Sequence, residues 1–462
     1  MGQTTNDLKL AIVEAIETQN KELIQQLIPE LHAFDIADIY ENLTEELKTY
    51  FIKFIPLEDK VDILPEVSAQ SAEAIFEDLD NKSQRTLISE LKDDDRVDIL
   101  QRIEPELSVK LISLLKKDQQ DLTESLLRYD ESSAGGRMTT NVGKVHINMS
   151  VKEGIDNLRE IYENTGTLAR IFVVDDDDKL CGKLRLRDLA FNNWDTPINS
   201  IVQEANHSIL ANEDQELAAK LIKDYDLLAL PVINEFNQLL GVITADDAME
   251  ILEQESTEDI EKIAGISGEV SFNPYMQTSI FSHIKKRFPW LFILAIMAIF
   301  SGMIMMRFES ILTSLFLLAL YLPMVVSAGG NSGGQASTVI IRAMSLDEIS
   351  LQNSLKVLWG EFRIGAILGF IIGLFIASIS YIALPLFDVE IPANITLKNF
   401  SIAIFLAISI QITASNIAGA LLPLLARKFK VDPAVIAAPI ITTLVDVTGL
   451  LIYFWIIKSF IF

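Results

Sequence analysis

One carboxylate stands out by its surroundings. Asp446 lies in PIITTLVDVTGLLIYFWII, residues Pro439 to Ile457, inside a run from Asp432 to Lys458 with no other charge between those ends. Roughly 20 apolar residues at 1.5 Å each cover a bilayer core, so Asp446 falls near the midplane. An ionised side chain there costs at least about 2.5–3.5 kcal/mol unless it faces water, a partner or an ion. No Lys, Arg or His lies inside any apolar segment, which leaves no salt bridge within the membrane. A neutral packing carboxylate is the plain alternative; an ion site is the favoured reading. Mg2+ takes oxygen ligands and gives up water reluctantly, so one or two carboxylates suffice. Soft metals call for Cys or His, and neither occurs after His283. One Asp per chain meets the need if two chains face each other across a twofold axis, so a homodimer is expected. Thr442 and Thr443, one turn earlier, can add hydroxyls or carbonyls. Asn331, Ser332, Gln335 and Thr338 in SAGGNSGGQAST, and Gln411, Thr413, Ser415 and Asn416, offer neutral oxygens. Close helix packing accounts for the small residues equally well.

A second chemistry lies in the acids. Met1 to Ser282 holds 56 of the 64 Asp and Glu against 26 of the 38 Lys and Arg; the remainder holds 8 against 12. The first part is a soluble region whose sign argues against nucleic acid as a partner and for divalent cations. Asp246, Asp247, Glu250, Glu253, Glu255, Glu258 and Asp259 crowd into about four helical turns. Carboxylates spaced i,i+4 repel, so a cation would steady this run; a solvated acidic face is the bland alternative. Glu58, Asp59 and Asp62 recur as Asp94, Asp95 and Asp98 in the repeat LEDKVDIL/DDDRVDIL, 36 residues apart. Both sets open helices, where the macrodipole favours anions without any metal. Cys181 is the only cysteine, which excludes an internal disulfide and fits a reducing compartment.

The elements that must position these residues follow from periodicity. From about Asn6 to Asp130 the apolar residues recur at three and four, and with the 36-residue repeat they predict an α-solenoid of helix pairs. DESSAGGRMTTNV, Asp130 to Val142, is a small-residue joint. Beyond it, IFVVDDDDKLCGKLRLRDLA at Ile171 aligns without gaps on LPVINEFNQLLGVITADDAM at Leu230. The unit reads strand, acidic turn, strand ending at Gly182 or Gly241, then a helix beginning at Asp188 or Asp247. Five apolar segments follow: Phe288–Met306, Ile311 to about Ile341, Ile364–Phe387, Asn399–Ala426 and Ala434–Ile457. Their basic flanks, Lys285, Lys286, Arg287 and Arg427 among them, exceed Arg307, Lys398 and Lys458 opposite. The positive-inside rule then puts the soluble half in the cytosol and the C-terminus outside. MGQTTNDLKLAIVEAI has no apolar signal-peptide core, in keeping with a cytosolic start.

The paired unit resembles a CBS pair, covering Met138 to Glu255. The whole layout resembles the MgtE family of magnesium channels and transporters, on SAGGRM at Ser133, ALPVINE and LLGVITADDAMEIL, ESTEDIEKIAG, and PIITTLVDVTG. GGNSGGQAST at Gly329 matches the polar motif of the second span, although the family more often has Asn where Gly334 stands. The resemblance implies a multidomain chain: an all-α helical-repeat N domain (1–132), an α/β CBS pair (133–200 and 201–256), a connecting plug helix (257–283) and a five-helix transmembrane domain (284–462). It implies a homodimeric Mg2+ channel of the cytoplasmic membrane with Asp446 as the pore carboxylate. Its Mg2+ sensor would use Glu58 or Asp59, Asp94, Asp98, Gly136 through its backbone, Asp226, Asp247, Glu250, Glu255, Glu258 and Asp259, beside Asp95 and Asp246 from the acidic runs. CBS pairs often bind adenosine nucleotides, so an adenine nucleotide is a further ligand to test.

Two other readings stay open: a transporter of Co2+, Mn2+ or Zn2+, and a membrane-anchored nucleotide sensor. An anion pathway conflicts with the charge of Asp446. No HExxH, no Walker motif and no pair of intramembrane carboxylates supports an enzyme.

Overall fold

The computed structural model describes residues 2–161, 167–266, 268, 278–346, 348–387 and 395–461. The chain divides into two compact units, one running to Glu255 and one beginning at Ser256 and holding every long apolar helix.

The first unit opens with ten short helices: α1 (Gly2–Glu17), α2 (Lys21–Leu27), α3 (Ala33–Asn42), α4 (Glu45–Phe51), α5 (Leu57–Ile63), α6 (Ala69–Glu77), α7 (Asn81–Glu90), α8 (Asp93–Arg102), α9 (Pro105–Leu114) and α10 (Lys117–Leu126). Ile16, Ile24, Phe51, Leu64, Phe76 and Leu87 belong to one continuous core, as stacked repeats require. The 36-residue repeat maps onto α5 and α8. Pro65 turns the end of the first copy into a 3-10 turn, Leu64–Glu66, because it lacks the N–H that would extend the helix; α8 continues to Arg102.

Two three-stranded sheets follow, β1 (Val142–His146), β2 (Thr167–Val174) and β3 (Leu180–Leu184), then β4 (Ile209–Leu210), β5 (Ala229–Ile233) and β6 (Leu239–Thr244). In each sheet the first pair is parallel and the second antiparallel. The helices of the pair are α11 (Val151–Ile161), α12 (Leu186–Ala190), α13 (Gln215–Asp224) and α14 (Ala245–Ile263). The acidic turns join the modules: Leu180 N–H donates to Asn237 O and Leu239 N–H to Asp178 O, both at 2.9 Å. Phe172, Val174, Ala229 and Val242 form a core common to both sheets.

Two expected boundaries shift. β3 and β6 run past Gly182 and Gly241, and the helices begin before Asp188 and Asp247. Those carboxylates instead accept the N–H of Arg185 at 2.9 Å and of Thr244 at 3.0 Å. Each is an acid in the first helical turn that reaches back to cap it.

The second unit contains α15 (Ile280–Arg307), α16 (Glu309–Ser314), α17 (Leu317–Ser345), α18 (Ser354–Leu386), α19 (Leu397–Lys428) and α20 (Pro433–Phe460). Among the described residues four helical stretches are long and apolar enough to cross a membrane: Ile280–Arg307, Leu351–Leu386, Leu397–Lys428 and Ile440–Phe460. α17 has the length, at 29 residues, but carries the polar run Ser327–Thr338. The second apolar segment does not run continuously from Ile311, because Leu315 is extended (φ −148°, ψ 94°) and separates α16 from α17. The third helix begins ten residues before Ile364, at Ser354. The expected connecting helix 257–283 is described in part: α14 continues to Ile263 and α15 starts at Ile280, while 267 and 269–277 lie outside the described residues.

α19 is the central helix, with Phe400, Ala403, Ile404, Ala407 and Ile408 all at 1 % exposure or less. Gly365, Gly369 and Gly373 set α18 against it; a Cβ on Gly369 would stand 2.5 Å from Ser409 O. Small residues every fourth position allow this backbone approach, which supplies the packing that water cannot drive inside a membrane.

Candidate functional site

Asp446 sits half-buried on α20, four residues after exposed Thr442 and three after buried Thr443, so the three share one side of the helix. The turn that carries Asp446 is fixed from α19. Gln411 is fully buried and its Nε2 donates to Val445 O at 3.0 Å. Two glycines make room for it: a Cβ on Gly329 would lie 2.4 Å from Gln411 Nε2 and one on Gly449 2.8 Å. Gln411 Oε1 and Ser415 Oγ are buried without a hydrogen-bond partner among the described residues. Both oxygens belong to α19, the helix that holds the Val445 carbonyl next to Asp446 in the chain.

The neutral oxygens divide. Asn331 is exposed on α17. Asn416 is buried and engaged: Ser332 Oγ donates to its Oδ1, and its Nδ2 reaches Glu361 Oε2 at 3.5 Å. Glu361 is the carboxylate that periodicity overlooks, since the first turns of α18 precede the apolar run. It lies on the helix of the third expected span, three residues before the apolar run that begins at Ile364.

In the first unit the acids do gather. α8 begins with Asp93, Asp94 and Asp95 in its first turn. Asp93 is spent on structure: fully buried Arg96 donates to it, as does Thr140 Oγ1. Asp94 is half-buried, and its Oδ1 has no hydrogen-bond partner among the described residues. Burial, with Asp95 and Asp247 close by, pushes its carboxyl up to about 8. Asp95 is pushed up to about 6 by burial, against Lys92, with Asp98, Asp247 and Glu250 adding to the rise. Asp98 is also raised by burial, although Arg137 Nη1 donates to it at 3.0 Å. A small cleft between α8, the joint and α14 is lined by Asp95, Asp98, Arg102, Glu131, Arg137 and Glu250. Glu66, raised by burial and by Glu250, borders the same group. Glu66 and Glu131 went unread in the sequence, Glu131 although it stands two residues before SAGGRM.

The other expected sensor residues fall into separate roles. Gly136 is held where a Cβ would strike Asp130 O at 2.2 Å, and its N–H donates to Ser133 O at 3.0 Å. Glu255 accepts Gln215 Nε2 at 2.5 Å. Asp246 and Asp247 both accept the Thr244 hydroxyl. Glu58 is exposed and Asp59 half-buried at the start of α5, and Asp226 is exposed in a left-handed turn, φ 51°. In the second unit Lys262 Nζ joins Glu258 and Asp432, each at 2.8 Å. Asp259 is raised by burial and by the nearby Asp432.

Among the described residues no three acidic, His or Cys side chains are arranged to hold a metal. The donor set still suits a hard cation: the residues are all-oxygen, the Asp94 oxygen is buried without a partner among the described residues, and the carboxyls are raised by burial first and by their acidic neighbours second. Asp94, Asp95, Asp98, Asp247 and Glu250 would hold it, and it would supply the charge that Lys92, Arg102 and Arg137 only partly provide.

Comparison with known proteins matches three regions of the chain. A family model described as a divalent cation transporter, MgtE, matches residues 322–456; the MgtE intracellular N domain matches 31–132, and the CBS domain matches 134–192 and 200–254. The chain is 32 % identical over 450 residues to the magnesium transporter MgtE of Thermus thermophilus, covering 96 % of this chain and 97 % of that protein. It is 28 % identical to the magnesium transporter MgtE of Bacillus subtilis, covering 100 % and 99 %. The solved cytosolic domain of the Mg2+ channel MgtE in complex with ATP superposes with a TM-score of 0.50 at 28 % identity, over 53 % of this chain and 99 % of that one. With the helical repeat, the paired modules and the apolar bundle all matched in one order, the chain belongs to the MgtE family of divalent cation transporters.

Proposed function

We propose that the chain carries Mg2+ into the cell through the cytoplasmic membrane, as a homodimer in which the Asp446 carboxylates of two copies face one hydrated ion. The observation that carries this reading is Asp446 itself, a half-buried carboxylate on a helix with no other charge before Lys458, in a turn whose Val445 carbonyl is held by buried Gln411. Thr442, Thr443, Asn331 and Asn416 are the accessory oxygens of the pathway. Influx needs no nucleotide hydrolysis: each charge gains about 2.3 kcal/mol per 100 mV of inside-negative potential, and a divalent ion twice that. The cytosolic acids gate it. At low Mg2+ the faces carrying Glu58 or Asp59, Asp94, Asp95, Asp98, Asp226, Asp246, Asp247, Glu250, Glu255, Glu258 and Asp259 repel, freeing the connecting helices; bound Mg2+, with the Gly136 backbone among its contacts, bridges the faces and closes the pathway. The basic flanks of the apolar helices support five spans with the N-terminal domains cytosolic and the C-terminus outside. The ATP-bound cytosolic domain of a relative supports an adenine nucleotide in the cleft of the CBS pair.

Mg2+ uptake into proteoliposomes under an inside-negative potential tests the pathway. Wild type should accumulate Mg2+, and Asp446→Ala, at unchanged thermal midpoint, should lose at least tenfold of the rate. Equal uptake by the two proteins would refute Asp446 as the pore carboxylate, and no uptake by wild type at any sensor-side Mg2+ would favour the nucleotide-sensor reading.

A further inference from the structure

α15 lies along α20 with an apolar trough of about 830 Å3 between them, lined by Trp290, Met297, Phe300, Ile304, Val447 and Leu451. Its length from Trp290 to Arg307 is roughly 25 Å, more than the roughly 15 Å depth of one leaflet's hydrocarbon. At the end formed by the C-termini of both helices the character changes. Arg307 and Lys458 line one cavity together with the hydroxyl-bearing Ser310 and Ser314. Phe308 is a wall of this polar cavity, of the trough and of a third cavity holding Trp455, and it is fixed there by stacking on Phe454 at 4.5 Å between centroids. The acid of this turn, Glu309, is exposed and does not line the cavity.

Two cations and the Ser310 hydroxyl over a long apolar slot, with an indole at the boundary, have the complementarity of an amphiphile with an anionic head, while Ser314 Oγ donates to Ile311 O at 2.7 Å. We propose that this groove holds an anionic phospholipid, its phosphate between Arg307 and Lys458 and one acyl chain between α15 and α20. The position has a consequence for transport, because the trough wall includes Leu444 and Val447, which stand on either side of Asp446 in the chain. An acyl chain there would support the outer side of the helix segment that carries Asp446.

The test uses the delipidated full-length protein, titrated in detergent with phosphatidylglycerol or phosphatidylcholine and read by native mass spectrometry. Wild type should take its first phosphatidylglycerol roughly fivefold more tightly than phosphatidylcholine, the selectivity expected from a cation at a membrane surface. Arg307→Gln with Lys458→Gln should bring the two lipids to equal affinity. Met297→Trp, which fills the trough and leaves both cations, should lower the affinity for phosphatidylglycerol as well, so the proposal does not depend on the folding of either variant alone. Equal affinity for both lipids in wild type, or a preference that survives both variants, would overturn it. So would displacement of phosphatidylglycerol by inorganic phosphate alone, which would mean a soluble-anion site, or exclusion of lipid by a second copy of the chain seated in the trough.

Discussion

At Asp93, Asp94 and Asp95 three adjacent identical side chains do different work. Asp93 neutralises a buried arginine, while Asp94 and Asp95 are raised by burial and, after it, by acids that include Asp247. A carboxyl whose folded-state pKa lies above its unfolded value favours the folded state most at low pH and loses that contribution as pH rises through the folded value. For these two the full contribution is present below about 3.8 and is lost through about 6 for Asp95 and about 8 for Asp94. The thermal midpoint of the cytosolic unit without Mg2+ should therefore rise by a few degrees, roughly 2–4 °C, on acidification from pH 8 to pH 6. Asp94→Asn should raise the midpoint at pH 8 and flatten that slope, and saturating Mg2+ should do the same for wild type. A midpoint that instead falls on acidification in differential scanning calorimetry, with or without Asp94, would contradict the crowding.

Helix packing makes a sharper prediction about glycines that look alike in sequence. A side chain on Gly369 must enter the backbone of α19 at Ser409, whereas nothing lies within 4 Å of a Cβ on Gly334. Gly369→Leu should separate α18 from α19 and cost a folded, monodisperse protein by size-exclusion chromatography, or at least several degrees in midpoint. Gly334→Asn should leave the midpoint within about 1 °C, as substitutions into open space generally do. Such distinctions mark where sequence reading stops. Periodicity and the 36- and 59-residue repeats carried the helical stack, both CBS-like modules and the apolar helices, because period and composition are local properties of a chain. Helix starts were misplaced at Ser354, Leu186 and Ala245, since the first turns are polar and owe their helicity to caps and neighbours. For the same reason Glu361 escaped notice, and Gln411 read as one of a polar cluster rather than as the group that holds Val445, a contact between residues 34 apart.

Taken whole, the chain couples a region of 56 acids and 26 bases to a bundle in which the balance reverses. Self-repulsion in the acidic part favours expansion, and two kinds of cation relieve it differently. Monovalent salt screens beyond a Debye length of about 8 Å at 0.15 M but cannot bind two carboxylates at once; Mg2+ can. If gating is bridging rather than screening, potassium chloride at matched ionic strength should leave uptake high while sensor-side Mg2+ suppresses it. Combining Asp94→Asn, Asp98→Asn, Asp247→Asn and Glu250→Gln removes most of the cluster around α8 and α14 together with its repulsion. That protein should keep its uptake at high sensor-side Mg2+, losing at least tenfold in Mg2+ sensitivity, and adding Asp446→Ala to it should abolish uptake at every Mg2+ concentration. The order of these effects separates a sensor from a pore: a cluster that merely shaped the fold would lower uptake at all Mg2+ concentrations, and the quadruple variant would then resemble Asp446→Ala instead of opposing the Mg2+ block.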